Sequence, residues 1–155
     1  RINYRMSELQ GAVGIAQIKK LNKIIMLQKK KKKKIINKIK NFPGIELRDS
    51  DNNCFETFDS LIILFKNKNL AQKCRINLNK KLINTKMLPE AKTWHFAKYW
   101  DHMPELTLSH KKNLKGAFKK SDKILERCVS IPISCKMSEK NIKLIVGIIE
   151  KILIK

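Results

Sequence analysis

The stretch that decides how this chain is built runs Asn3-Tyr4-Arg5-Met6-Ser7-Glu8-Leu9-Gln10-Gly11-Ala12-Val13-Gly14. Ser7 followed three residues later by Gln10 is a capping-box start: the Ser7 hydroxyl accepts from an early helix N–H, and the glutamine reaches back. Glu8 falls in the first turn, where the helix dipole stabilises a carboxylate. From that start Leu9, Val13, Ala16, Leu21 and Ile25 recur at helical spacing. The stripe lapses across Gln28–Lys34, resumes at Ile35, Ile36 and Ile39, and stops at Pro43-Gly44. Unbroken, such a helix spans roughly 50 Å at about 1.5 Å per residue. A helix of that length bridges two structural units, and the lysine block is expected where it crosses solvent.

Downstream, strands alternate with helices. Asp49–Asn53 is a polar loop, and Phe55–Lys66 reads as a strand with Leu61–Phe65 buried on both faces. Asn69 is placed to cap a helix carrying Leu70, Cys74, Leu78 and Leu82 on one face. Thr85–Leu88 suits a short strand, and Ser121–Glu126 a short helix. Val129–Ser134 is a strand whose Pro132 requires an edge or strand-end position. Ser138 caps a last helix with Ile142, Ile145, Val146, Ile149 and Ile152 on one side. The pattern is that of a small α/β or α+β layer, with residues 1–41 forming the signature and long helix and 42–155 the layered domain.

Composition narrows the function. The 155 residues carry a formal charge of +22, which invites a nucleic-acid reading. The lysines are scattered through every segment beside abundant Ile and Asn, the mix that AT-rich codons produce. Aromatic content is only 6%, with no aromatic-interleaved basic strand of the RNA-binding type. The Lys29–Lys34 run therefore reads as a solvated helix face. The competing readings are a small basic protein that uses this run on nucleic acid or an acidic membrane, and a non-catalytic remnant from a truncated reading frame. No apolar run approaches the roughly 20 residues needed to span a bilayer. The chain opens on Arg1 without a secretory leader, and Cys54, Cys74, Cys128 and Cys135 form no CxxC pair, so reduced thiols in a cytoplasmic protein are expected. A zinc site of Cys128, Cys135 and His95 would have a spacing unlike known ligand patterns.

The opening stretch resembles the NYRMSELQAAxG signature of the DegT/DnrJ/EryC1/StrS sugar aminotransferases, which opens the helix linking their large and small domains. Three further landmarks follow in the family's order. Phe42-Pro43-Gly44-Ile45 is similar to the PGI after the long helix, Leu125–Ile133 to an "R-x-LSLP-I" strand, and Met137-Ser138-Glu139 to the cap of the terminal helix.

The resemblance implies the small C-terminal domain of a fold-type I transferase plus the interdomain helix. It implies an enzyme that uses pyridoxal 5′-phosphate to move an amino group, commonly from glutamate, onto a keto-sugar. Such enzymes serve polysaccharide and related glycan biosynthesis, as homodimers with active sites at the subunit interface. The Schiff-base lysine of the family lies upstream of the NYRM signature, so no catalytic residue is assigned here. Ser109-His110-Lys111 pairs a serine with a lysine, but downstream and in the wrong order.

Asn3 matches the asparagine that reaches the cofactor phosphate of the neighbouring subunit, a role its uncharged amide can fill. Beside it, Arg5 is a candidate fork for a carboxylate or phosphate. Trp94, His95 and Tyr99 fall where family members carry a loop lining the sugar pocket, and aromatic rings with polar tips suit sugar stacking and hydroxyl recognition. The run faintly resembles that of members acting on eight-carbon acid sugars rather than nucleotide-linked hexoses.

Overall fold

A computed structural model describes residues 5–48, 51, 53–87, 96–110 and 113–154. Helix α1 occupies Glu8–Ile39, 32 residues or about 48 Å. Its start is the expected capping box: the Gln10 amide donates to Ser7 Oγ at 3.2 Å, and Ser7 N–H donates to Gln10 Oε1 at 2.9 Å. The helix ends at Lys40, and the chain turns back through Gly44, whose φ of +85° strains any residue bearing a Cβ.

Strand β1 (Ile45–Leu47) pairs antiparallel with β2 (Ser60–Phe65), with Ile45 opposite Phe65. Helix α2 (Lys68–Lys80) follows, then β3 (Lys86–Met87). Two short helices, α3 (Pro104–Ser109) and α4 (Lys119–Leu125), precede β4 (Cys128–Pro132) and the terminal helix α5 (Glu139–Leu153). The sheet order is β1-β2-β4-β3, and every pairing is antiparallel. Of the two layer types the strand–helix alternation allowed, the chain is therefore α+β.

One face of the sheet holds the core. Leu61, Ile63 and Phe65 of β2 and Val129 and Ile131 of β4 point the same way, since the register sets Leu61 against Ile131 and Ile63 against Val129. They meet Ala71, Cys74 and Leu78 of α2, Ile142, Ile145 and Ile149 of α5, and Ile35 and Ile39 from the end of α1. Each fully buried Ile or Leu contributes roughly 1.5–3 kcal/mol of burial free energy. The other face carries Ile62 and Leu64, only half-buried, with Cys128 covered by α4.

Several sequence expectations are corrected here. Leu61–Phe65 is buried on alternate residues, not on both faces. The strand starts at Ser60 rather than Phe55: Phe58 adopts a left-handed conformation (φ 60°), and the Thr57 hydroxyl donates to Asp59 at 2.7 Å, breaking the extended run. Asn67, not Asn69, caps α2 by accepting from Leu70 N–H at 3.0 Å. Leu82 leaves the apolar stripe because α2 has already ended and its own φ is 59°; it is 92% exposed. Helix α4 begins at Lys119, after a left-handed Phe118 and without a side-chain cap. Pro132 does sit at a strand end, and Ser138 caps α5 by accepting from Asn141 N–H at 3.1 Å.

The largest departure concerns α1. Its N-terminal stripe is exposed at Leu9, Val13 and Leu21, while the lysine block lies on the domain rather than crossing solvent. Gln28 donates to the Ile133 carbonyl at 2.9 Å, Lys31 donates to the Met137 carbonyl, and Lys32 and Lys34 pair with Glu56 and Glu139.

Candidate functional site

Of the residues the sequence singled out, Arg5 and Tyr99 are described; Asn3, Trp94 and His95 lie outside the described residues. Arg5 is exposed, two residues before the Ser7 cap of α1. The capping box fixes where the helix starts, so Arg5 and Met6 lie outside the helical hydrogen-bond ladder.

Tyr99 belongs to a compact aromatic group. It closes a 3₁₀ turn, Ala97–Tyr99, whose Phe96 is nearly buried. The Phe96 and Tyr99 rings lie edge to face at 6.3 Å, and Phe96 stands 5.8 Å from Phe118. The His110 ring meets Phe118 edge-on at 5.0 Å. Such ring pairs contribute about 0.5–1.5 kcal/mol beyond their buried area. Tyr99 itself remains 39% exposed, so one part of its ring is open.

Beneath the group, Lys98 donates to the Asp122 carboxylate and lies 5.7 Å over the Tyr99 ring. The hydrogen bond to Asp122 holds the Lys98 ammonium above the ordinary lysine value, against a smaller opposing effect of burial. Sequence reading missed His110, Phe118 and the Lys98–Asp122 pair. The partners lie 24 residues apart, and no periodicity links them. Ser109 donates to the Leu106 carbonyl at 2.9 Å, a helix-end contact rather than a nucleophile.

The cysteines are unbridged. Burial pushes the Cys74 thiol up to about 12 and raises Cys128 as well, so neither is a ready thiolate. Among the described residues no group of three potential metal ligands converges, and His95 of the weighed zinc set lies outside them. Among the described residues no helix is long and apolar enough to cross a membrane.

A sequence model of the DegT/DnrJ/EryC1/StrS aminotransferase family matches residues 2–150. The chain belongs to this family. Its fold is similar to that of Helicobacter pylori PseC, an aminotransferase involved in the biosynthesis of pseudoaminic acid. The identity there is 15% and the TM-score 0.71, over 98% of this chain and 38% of that one. A GDP-4-keto-6-deoxymannose-3-dehydratase with a trapped PLP-glutamate geminal diamine superposes at TM-score 0.72 and 18% identity, over 96% of this chain and 36% of that one. An aminotransferase from Brucella abortus gives TM-score 0.68 and 16% identity, over 97% and 37%. The chain thus spans less than two fifths of the length of each relative.

Pyridoxal phosphate needs a lysine whose amine can be neutral, usually within a pocket that depresses its pKa. Lys98 is shifted the opposite way by Asp122. Lys32, on the wall of a cavity of about 230 Å³, is bound to Glu56. A second cavity, of about 450 Å³ between Ile62, Leu64, Leu125 and Cys128, has no lysine on its wall, and a third, of about 330 Å³ beside Ile83 and Met137, has only the exposed Lys136. No catalytic step is therefore derived through the cofactor in this chain.

Proposed function

We propose that this chain is the small C-terminal domain, with the interdomain helix, of a pyridoxal-phosphate-dependent aminotransferase that aminates a keto-sugar with glutamate as donor. The observation that carries this reading is the family match over residues 2–150, which begins at the Asn3–Gln10 signature, joined to a helix that starts at the Ser7 cap. Residues 1–41 form the signature and bridge, and 42–155 the layered domain. The Schiff-base lysine belongs to residues upstream of the signature. The enzyme acts as a cytoplasmic homodimer in the biosynthesis of surface polysaccharide or related glycans.

Within that enzyme, Asn3 donates its side-chain amide to a cofactor phosphate oxygen across the subunit interface, and Arg5 forks onto an anionic substrate group. Trp94, His95 and Tyr99 line the sugar pocket. The open part of the Tyr99 ring, backed by Phe96, supports this role: a ring held by its neighbours offers a flat apolar surface at little entropic cost.

The test has two arms. The purified chain is mixed with pyridoxal phosphate, reduced with borohydride, and the label mapped; diffuse labelling of exposed lysines is expected. Stoichiometric labelling at one lysine would place the Schiff base within these residues and overturn the upstream assignment. A chain extended upstream is then assayed for glutamate-dependent amination of keto-sugars, and failure across both nucleotide-linked hexoses and eight-carbon acid sugars would remove the sugar aminotransferase reading.

A further inference from the structure

Six consecutive lysines on one helix repel one another at the i,i+3 and i,i+4 spacings. The fold answers this repulsion unevenly. Lys30 and Lys33 are exposed; Lys31, Lys32 and Lys34 each reach an oxygen acceptor, and Lys29, exposed as well, approaches an aromatic ring. Lys31 donates to the Met137 carbonyl and Lys34 to Glu139, on either side of the Ser138 cap of α5. The other two converge on a single loop. Lys29 Nζ stands 5.2 Å and Lys32 Nζ 5.9 Å from the centre of the Phe58 ring, and Lys32 also pairs with Glu56.

Phe58 is held in a conformation it would not choose. Its φ of 60° is one that bulky side chains rarely adopt, and such conformations persist only where their surroundings over-determine them. Residues 53–59 lead into β2 beside α1, and of them Cys54, Phe55, Glu56, Thr57 and Asp59 wall a cavity of about 230 Å³ shared with Lys32 and Ile36 of the helix. The loop is tied at its far end, where Ile133 N–H donates to the Asp59 carbonyl at 2.7 Å.

We propose that Lys29 and Lys32 form an intramolecular clasp that holds loop 53–59 closed against α1, with the Phe58 ring and the Glu56 carboxylate as its receptors. The lysine run then serves to fix the long helix on the layered domain, and the loop is a strap that lifts when the clasp is screened or removed. Cation–π contacts and a largely shielded ion pair suit such a device, being strong enough to bias the loop and weak enough to release it.

Amide hydrogen exchange on the full 155-residue chain tests this, read at loop 53–59 and at Ile133 N–H. Replacing both Lys29→Gln and Lys32→Gln should speed exchange there about five- to tenfold at low salt, the range expected for contacts of this kind. Replacing Lys30→Gln and Lys33→Gln removes the same charge and should leave exchange unchanged. Salt near about 1 M, where the Debye length is ~3 Å, should move the wild type toward the clasp variant. Phe58→Leu keeps an apolar side chain but no ring, and should act in the same direction as the clasp variant. Equal acceleration by the two lysine pairs would reduce the effect to net charge and overturn the proposal. Unchanged exchange in both the Lys29/Lys32 and Phe58→Leu variants would overturn it as well.

Discussion

Gln28 donates its side-chain amide to the backbone carbonyl of Ile133 at 2.9 Å, joining residues 105 positions apart. The contact lies where β4 has ended and the chain turns toward α5, so it sets how far along α1 the domain docks. Gln28→Ala leaves a part-buried carbonyl without that donor, which costs about 1–3 kcal/mol. For a chain of this size that is a loss of roughly 2–4 °C in Tm per kcal/mol. Lys30→Ala, on the exposed side, should stay within about 0.5 kcal/mol of wild type. Equal Tm values for the two variants would show that the docking does not depend on Gln28.

Glu139 caps the acid side of the stability curve. The hydrogen bond from Lys34 leads the causes that hold its carboxyl below the ordinary 4.5. A group whose folded pKa is depressed contributes stability that is present above the unfolded value and lost as pH falls through the folded one. Urea denaturation should therefore show wild type losing stability relative to Glu139→Gln as pH drops below about 4.5. Parallel pH profiles for the two proteins would show that the Lys34 contact has no energetic weight.

Lys98 carries the opposite sign. Its raised pKa, caused first by the Asp122 hydrogen bond, gives stability that is complete below the ordinary 10.5 and is lost as pH rises through the higher folded value. Asp122→Asn should remove this alkaline transition and loosen the Phe96–Phe118 segment, visible as faster proteolysis there. A tyrosine-fluorescence titration that is identical in both proteins above pH 10.5 would refute the coupling.

Ile149 is fully buried between the helices and the sheet. Ile149→Ala should cost about 2–5 kcal/mol by combining lost transfer energy with a residual cavity. The same change at Ile154, which is 78% exposed, should be near neutral. Comparison of urea midpoints checks both.

Asn3 and His95 are separated by their kinetics in a chain extended upstream. On the proposed assignment, Asn3→Ala would remove one hydrogen bond to a charged group, worth about 1.5–3 kcal/mol, so cofactor affinity should fall roughly ten- to a hundredfold. Turnover of the saturated enzyme should change much less. His95→Ala should retain cofactor and lose sugar turnover. Cofactor titration of both variants decides, and unchanged affinity in the Asn3 variant returns Asn3 to a structural role.

Much of this was legible in the residues because it is local. The capping box at Ser7, the cap at Ser138, the strand-end Pro132 and the stripe Ile142–Ile145–Ile149 each depend on neighbours within one or two turns. The family signature is likewise contiguous. Phe55 and Thr57 have strand-like side chains that place the start of β2 too early, whereas Phe58 takes a left-handed conformation with its ring beside Lys29 and Lys32 of α1. Asn69 and Asn67 are equally good caps by residue type; in the fold Asn67 takes that role and Asn69 lies within the first turn of α2.

What the sequence by itself determined is the family, the long helix from its first cap, and the strand–helix alternation, all encoded at short range in hydrogen-bonding side chains and apolar spacing. The tertiary structure alone decided the antiparallel sheet order and the gathering of Phe96, Tyr99, His110 and Phe118. It also decided that four of six consecutive lysines are contact-making residues rather than a solvated face. Charge and hydropathy along a helix show only that a lysine is costly to bury. Whether an acceptor waits for it depends on Glu56, Phe58, Met137 and Glu139, which the fold brings alongside from 24 to more than 100 residues away.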